Sequence, residues 1–254
     1  MQVYPTLKKG ELPLIKLILF GLGGSGKTTL AYSFHNEPLT GPAIVLNYGG
    51  NPDKLMLKEN HPFVLDCDKL EDVDVVYQFL AGGQSPKDKF RELVGLPPDI
   101  VFKTFIFDTV SDWQRMKIEG IVGPDRADII SQSKAPEATK HGASIQAATL
   151  RLVREIINLK LNVVLTLQQQ TVVNFATGEV SNRPFLYGNS RDYVTAWAKL
   201  VGRMERGKNG LPVVFWEEAV STSVTKNQLA DTLGNGMGSP TAKAIIQKLK
   251  EFYF

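Results

Sequence analysis

The stretch Gly21-Leu-Gly-Gly-Ser-Gly26-Lys27-Thr28-Thr29 constrains this chain more than any other. It satisfies the pattern G-x-x-x-x-G-K-[ST], and its setting matches the pattern's physics. Leu12–Phe20 ahead of it reads as a buried strand that Lys16 interrupts without breaking, and Lys27–His35 after it reads as a short helix. Gly21, Gly23, Gly24 and Gly26 let the backbone curl without side-chain clashes, so the N–H groups of the loop, those of Ser25 and Thr29 among them, can converge on an anion. The helix adds the positive end of its dipole. In such a loop Lys27 reaches the β- and γ-phosphates of a nucleotide, and the Thr28 hydroxyl serves Mg²⁺.

A second chemical position follows from Val101-Phe-Lys-Thr-Phe-Ile-Phe-Asp108. The strand Phe102–Phe107 delivers Asp108 to its C-terminal end, the edge where open α/β sheets bind ligands. There Asp108 can hold Mg²⁺ directly or through water, or it can cap the next helix; the upstream loop favours the metal role. Asp112 stands one helical turn further on; an ordinary surface role is expected of it, with facing the site as the alternative. The strand Asn162–Leu167 runs into Gln168, Gln169 and Gln170. Gln168, and Gln169 after it, are the candidates to touch the γ-phosphate or the attacking water. Hydrolysis also needs a group that activates water. The second strand, Ala43–Tyr48, ends in Gly49-Gly-Asn-Pro-Asp53 with no glutamate. Asp53, Asp66 and Asp68 are the alternatives, and slow turnover or a group borrowed from a partner is expected. Arg203 and Arg206, near the end of a predicted helix over Arg191–Arg206, and Lys226 are either fingers toward a neighbouring subunit's phosphate or ordinary surface cations.

Around these positions the chain reads as α/β. Helices are predicted over Glu71–Leu80, Pro86–Val94, from Thr109 to Met116 and from Ala143 to Leu159. The last carries Ile145, Leu152, Ile156 and Leu159 at helical spacing. Glu119–Lys140 reads as a long surface loop, and Pro212–Glu217 with Val220–Thr225 as antiparallel segments. Thr241–Tyr253 closes the chain as an amphipathic helix with Ala244, Ile245, Leu249 and Phe252 on its apolar side. Strands separated by helices argue for a mainly parallel sheet covered on both faces. A length of 254 residues fits one such domain, with a core over about 12–225.

Composition removes several function classes. The single Cys67 excludes an intrachain disulfide and a multi-cysteine metal site. A formal charge of +3 is too mild to indicate a polyanionic partner. No apolar stretch approaches bilayer length, and Met1–Glu11 lacks the order of a secretory signal, so the expectation is a cytoplasmic protein without a membrane partner.

The Gly21–Thr29 loop, the Phe105-Ile-Phe-Asp108-Thr109 strand end and the Val164-Leu-Thr-Leu-Gln168 strand end occur in an order and at spacings that resemble a phage-type P-loop ATPase of the RecA-core group. More narrowly, the chain resembles short single-strand-annealing or recombinase-like proteins, over roughly Leu14 to Thr225. The resemblance implies a three-layer RecA-like fold with antiparallel C-terminal strands. It implies ATP and Mg²⁺ between subunits of a homo-oligomeric ring or filament, single-stranded DNA on an inner surface, and a host cytoplasm if phage-encoded. It puts Lys27 and Thr28 on the phosphate and magnesium positions, Asp108 on the second acidic position and Gln168 on the nucleotide-sensing one. The missing glutamate departs from that pattern. DNA contacts, if made, are expected from Arg126, Lys134 and Lys140, or from Phe175, Arg183, Phe185, Tyr187 and Arg191. Three functions stay open: a DNA-associated ATPase, a nucleotide-gated assembly factor with little turnover, and a P-loop small-molecule kinase. No guanine-reading Asn/Thr-Lys-x-Asp segment is present, which favours ATP.

Overall fold

Alternation of apolar residues dictates the architecture. In β1 (Lys16–Gly21), Leu17 and Leu19 pack on one face of a sheet while Ile18 and Phe20 pack on the other. β2 (Ala43–Asn47), β4 (Thr104–Asp108) and the inner half of β5 (Asn162–Val173) are likewise buried on both faces. Strands of this kind need helices on each side. The computed structural model describes residues 12–49, 59–123, 136–216, 226–227 and 233–254, and it has that arrangement.

One helical layer is formed by α1 (Lys27–Ser33) and the C-terminal α7 (Ala242–Tyr253). Leu30, Ala31, Ile245, Ile246 and Leu249 cover Leu17, Leu19, Val45, Ile106 and Val164. The other layer contains α2 (Asp72–Ala81), α3 (Lys89–Val94), α4 (Val110–Val122), α5 (Pro136–Ile157) and α6 (Ser190–Trp197). Phe79, Phe90, Trp113, Leu152, Ile156 and Val194 from those helices meet Ile18, Phe20, Phe105, Phe107 and Leu165. Each fully buried side chain of this size contributes roughly 1.5–3 kcal/mol.

Between the layers, β7 (Leu200–Arg206), β1, β5, β4, β2 and β3 (Phe63–Asp66) run parallel in that spatial order. β8 (Pro212–Phe215) and the short β9 (Lys226–Asn227) pair antiparallel with β7, and β10 (Gly236–Gly238) pairs antiparallel with β8. β6 (Val180–Pro184) folds back on the outer half of β5. The sheet is thus mostly parallel with an antiparallel C-terminal edge. The decisive feature for function is that β5 lies between β1 and β4, so three strand ends meet at one rim.

Several sequence expectations are corrected. Arg191–Arg206 is not one helix: α6 ends at Trp197, and the chain enters β7. Burial of Leu200, Val201 and Met204 beside β1 overrides the helical pattern, and Gly202 lies where a Cβ would come within 2.7 Å of Trp216 and Val214. The predicted loop 119–140 is partly helical, because α4 continues to Val122 and α5 begins at Pro136. The remainder of that loop with Arg126 and Lys134, the segment Val220–Thr225 and Asp53 lie outside the described residues. β5 does not stop at Leu167; the three glutamines are part of it, since pairing with β6 continues the ladder. On α7 the buried residues are Ala242, Ile245, Ile246 and Leu249, whereas Phe252 faces outward.

Lys16 opens β1 as a buried cation. Its Nζ donates to the carbonyls of Leu159 and Leu161, both at 2.7 Å. Burial, followed by the nearby charge of Lys199, lowers its pKa from the ordinary 10.5 to about 7. The folded protein therefore releases this proton before the unfolded chain does, and Lys16 makes stability rise as pH climbs from about 7 to 10.5. Chemical denaturation across that window should show a flatter rise in Lys16→Met than in the parent chain.

Candidate functional site

The loop is shaped by close backbone approaches. Gly21 ends β1 so near β7 that a Cβ would stand 2.2 Å from the Met204 carbonyl oxygen. Gly24 and Gly26 take φ of +72° and +99°, a region in which side chains are strained. Gly26 then immediately precedes α1, turning the N-terminus of that helix toward the loop. Arg206 braces the outside: its Nε donates to the Gly24 carbonyl at 2.9 Å, and another guanidinium nitrogen to the Gly210 carbonyl.

Lys27 is buried, and its Nζ donates to the Gly21 and Leu22 carbonyls at 2.9 Å each. Burial lowers its pKa, while the charges of Asp108 and Asp112 act in the opposite direction. Thr28 is half-buried and donates from Oγ1 to Asp108 Oδ2 at 2.8 Å. Gly23 and Thr29 are exposed, and Ser25 is buried beside Gly21.

Asp108 is the centre of the arrangement. It is 1 % exposed, and Oδ1 accepts a hydrogen bond from the Thr166 hydroxyl of β5. Burial raises its pKa; Thr166, Thr28 and Lys27 oppose that rise. It is not the cap of the following helix. That role falls to Thr109, whose Oγ1 accepts from the Asp112 N–H.

Asp112, expected at the surface, belongs to the site. Its Oδ1 accepts from Gln168 Nε2 at 2.8 Å, and Oδ2 accepts from the Thr109 hydroxyl at 2.5 Å. The signal was available in the spacing: the cap at Thr109 fixes the first turn of α4 and leaves Asp112 facing the strand ends. Gln168 lies opposite Gly21 in the β1–β5 register, so loop and glutamine are neighbours. Ser111 went unnoticed in the sequence. Its Oγ accepts from the Gln168 N–H at 3.0 Å and donates to the Phe185 carbonyl at 2.8 Å, linking β5, α4 and the chain after β6. Gln169 donates to Asn182 and Thr171 and lines a cavity beside Leu22, Gly23 and Ser25 of the loop.

Of the remaining candidates, Arg203 and Arg206 line the same cavity as Gln169 and the loop. Arg203 pairs with Glu205 and lies over the Phe215 ring. Lys226 pairs through its backbone with Val201, at the other end of β7 from Arg206. Phe175 is 97 % exposed in the β5–β6 hairpin. By contrast, Tyr187 packs against Ile118 and Ile145, and Arg191 pairs with Asp192. Lys27, Thr28, Asp108, Asp112, Thr166 and Gln168 are therefore the residues brought together.

No group of three or more His, Cys, Asp and Glu that could hold a metal occurs among the described residues. Thr28 and Asp108 still suit Mg²⁺, which ordinarily takes one or two protein ligands and completes its shell with phosphate oxygens and water. No helix among the described residues is long and apolar enough to cross a membrane. No protein-family model matches the chain, and no curated protein matches it.

Because burial raises the Asp108 pKa, its charge opposes folding at neutral pH, and the stability that the protonated acid retains is lost as pH rises through its titration. Asp108→Asn should therefore raise the melting temperature of the ligand-free protein, by about 2–4 °C for each ~1 kcal/mol relieved. Differential scanning calorimetry of the two proteins measures this.

Proposed function

We propose that the chain is a Mg²⁺-dependent ATPase with a RecA-like core, acting with single-stranded DNA in phage-type recombination or annealing, as a homo-oligomeric ring or filament. The observation that carries the nucleotide site is the 2.8 Å contact between Thr28, at the start of α1, and the buried Asp108, with Lys27 alongside. The position of β5 between the loop strand and the acidic strand supports the RecA-like reading, since it puts Thr166 and Gln168 beside both.

In this reading Lys27 exchanges the Gly21 and Leu22 carbonyls for phosphate oxygens, where its charge opposes the negative charge that develops in phosphoryl transfer. Thr28 and Asp108 are the residues that would hold Mg²⁺, which would neutralise phosphate charge when bound. Asp112 fixes the Gln168 amide at the rim, and Gln168 is the group placed to sense the γ-phosphate. Arg206 serves its own loop in cis, which leaves Arg203 and Lys226 as the candidates for a role across a subunit boundary.

A second reading, a nucleotide-gated assembly factor with little turnover, is favoured by one observation. The hydrogen bonds from Gln168 through Ser111 to Phe185 connect the nucleotide rim to the β5–β6 hairpin. Such a connection transmits nucleotide state whether or not hydrolysis is fast.

ATP turnover with and without single-stranded DNA, measured alongside DNA binding with and without ATP, tests the proposal. Stimulation of turnover by DNA is the expected result; tight ATP binding that changes assembly without turnover supports the second reading. Lys27→Ala should abolish nucleotide-dependent behaviour in either case. A Lys27→Ala protein that bound and hydrolysed ATP normally would refute the site.

A further inference from the structure

Beyond Thr166 and Asp108, the polar row at the sheet rim continues across two more strands. The register sets Asn47 of β2 beside Asp108 on one side and beside Asp66 of β3 on the other. All four side chains share the face covered by α1. Two residues earlier on their strands stand Val164, Ile106, Val45 and Val64, and each packs in the cluster beneath α1 and α7. Asn47 Nδ2 donates to Asp66 Oδ1 at 2.6 Å, so the amide is fixed with its nitrogen toward Asp66 and its oxygen directed away from it.

Tyr32 of α1 packs in the same cluster as Val45, Ile106 and Val164, the residues two positions before this row. It follows Thr28 by four residues and so shares its helix face, and long side chains on a helix lean back toward the N-terminus. The charges of Asp108 and of Asp66 both act on its phenol. Tyr32 is 4 % exposed, and its buried hydroxyl has no hydrogen-bond partner among the described residues. A buried polar group left this way is expensive, and in a native site it points to a bound group that satisfies it. A phenol O–H, an amide oxygen and a carboxylate in one row suit a water molecule, which needs two to four polar partners.

We propose that Tyr32 and Asn47 hold the water that attacks the γ-phosphorus, and that Asp66 is a positioning residue that locks the Asn47 amide. This inference rests on the ATPase reading and supplies the function that the chain after β2 lacks a glutamate to perform. The water oxygen bonds to the γ-phosphorus as the bond to the β–γ bridging oxygen breaks. ADP leaves with that electron pair, and the proton of the water passes to the phosphate product.

The test compares kcat, KM and the equilibrium Kd for ATP with Mg²⁺ in the full chain and its variants. Tyr32→Phe removes only the hydroxyl, which has no hydrogen-bond partner among the described residues, so the fold should be as stable as the parent or more so by calorimetry. Its kcat should fall about tenfold or more while KM and Kd stay within about threefold. Asp66→Ala should do the same, and Asp66→Asn should recover most of the loss, because its amide oxygen still accepts from Asn47. A parent chain that hydrolyses ATP while Tyr32→Phe matches its kcat overturns this inference and leaves the ATPase reading standing. A parent chain that binds ATP and Mg²⁺ without turnover overturns both.

Discussion

A carboxylate buried at the end of the sheet is the constraint around which the rest is arranged. Asp108 is taken out of water by its position between β5 and β2, and burial opposes its charge. The fold answers with two threonine hydroxyls, one from α1 and one from β5, and with the nearby charge of Lys27. Each comes from a different part of the chain, so the residue is tolerable only once loop, helix and both strands are in place. A group that destabilises its own surroundings and is kept in register by three elements fits a demand for ligand chemistry better than a demand for stability.

The parts of this arrangement legible in the sequence were those encoded by local pattern. The strand–loop–helix unit at Gly21–Thr29 carries its own backbone requirements, and the run Phe105-Ile-Phe-Asp108 shows a buried strand ending in an acid. What was not legible depends on pairing across long sequence separations. The Thr109 cap turns Asp112 toward the strand ends, but its meeting with Gln168 depends on a pairing 56 residues away. Arg203 and Arg206 looked helical because their fate is set by Leu200 and Met204 packing beside β1, over 180 residues earlier in the chain. Thr166 looked like an ordinary strand residue until the order of strands put it against Asp108. The DNA-binding expectation for Tyr187 and Arg191 rested on composition, and each has a partner inside the fold.

Lys16 and Asp108 illustrate two ways of burying charge in the same sheet. Lys16, at the opposite end of the strands, meets two backbone carbonyls, and its proton becomes easier to lose. Asp108 meets hydroxyls that can rotate to serve either protonation state or a cation. The first solution is closed by fixed backbone acceptors, and the second stays adaptable because hydroxyl hydrogens turn freely.

The unbroken course of β5 has a mechanical consequence. The same strand begins in the core at Asn162, passes the rim of the candidate site at Gln168 and continues beyond it, paired with β6, as far as Val173. At about 3.3 Å per residue, the five steps from Gln168 to Val173 make an arm of roughly 17 Å, so tilting its base by about 10° sweeps its end through about 3 Å. A small rotation of the strand at the rim is thereby amplified at the far end of the hairpin, with no hinge required in between.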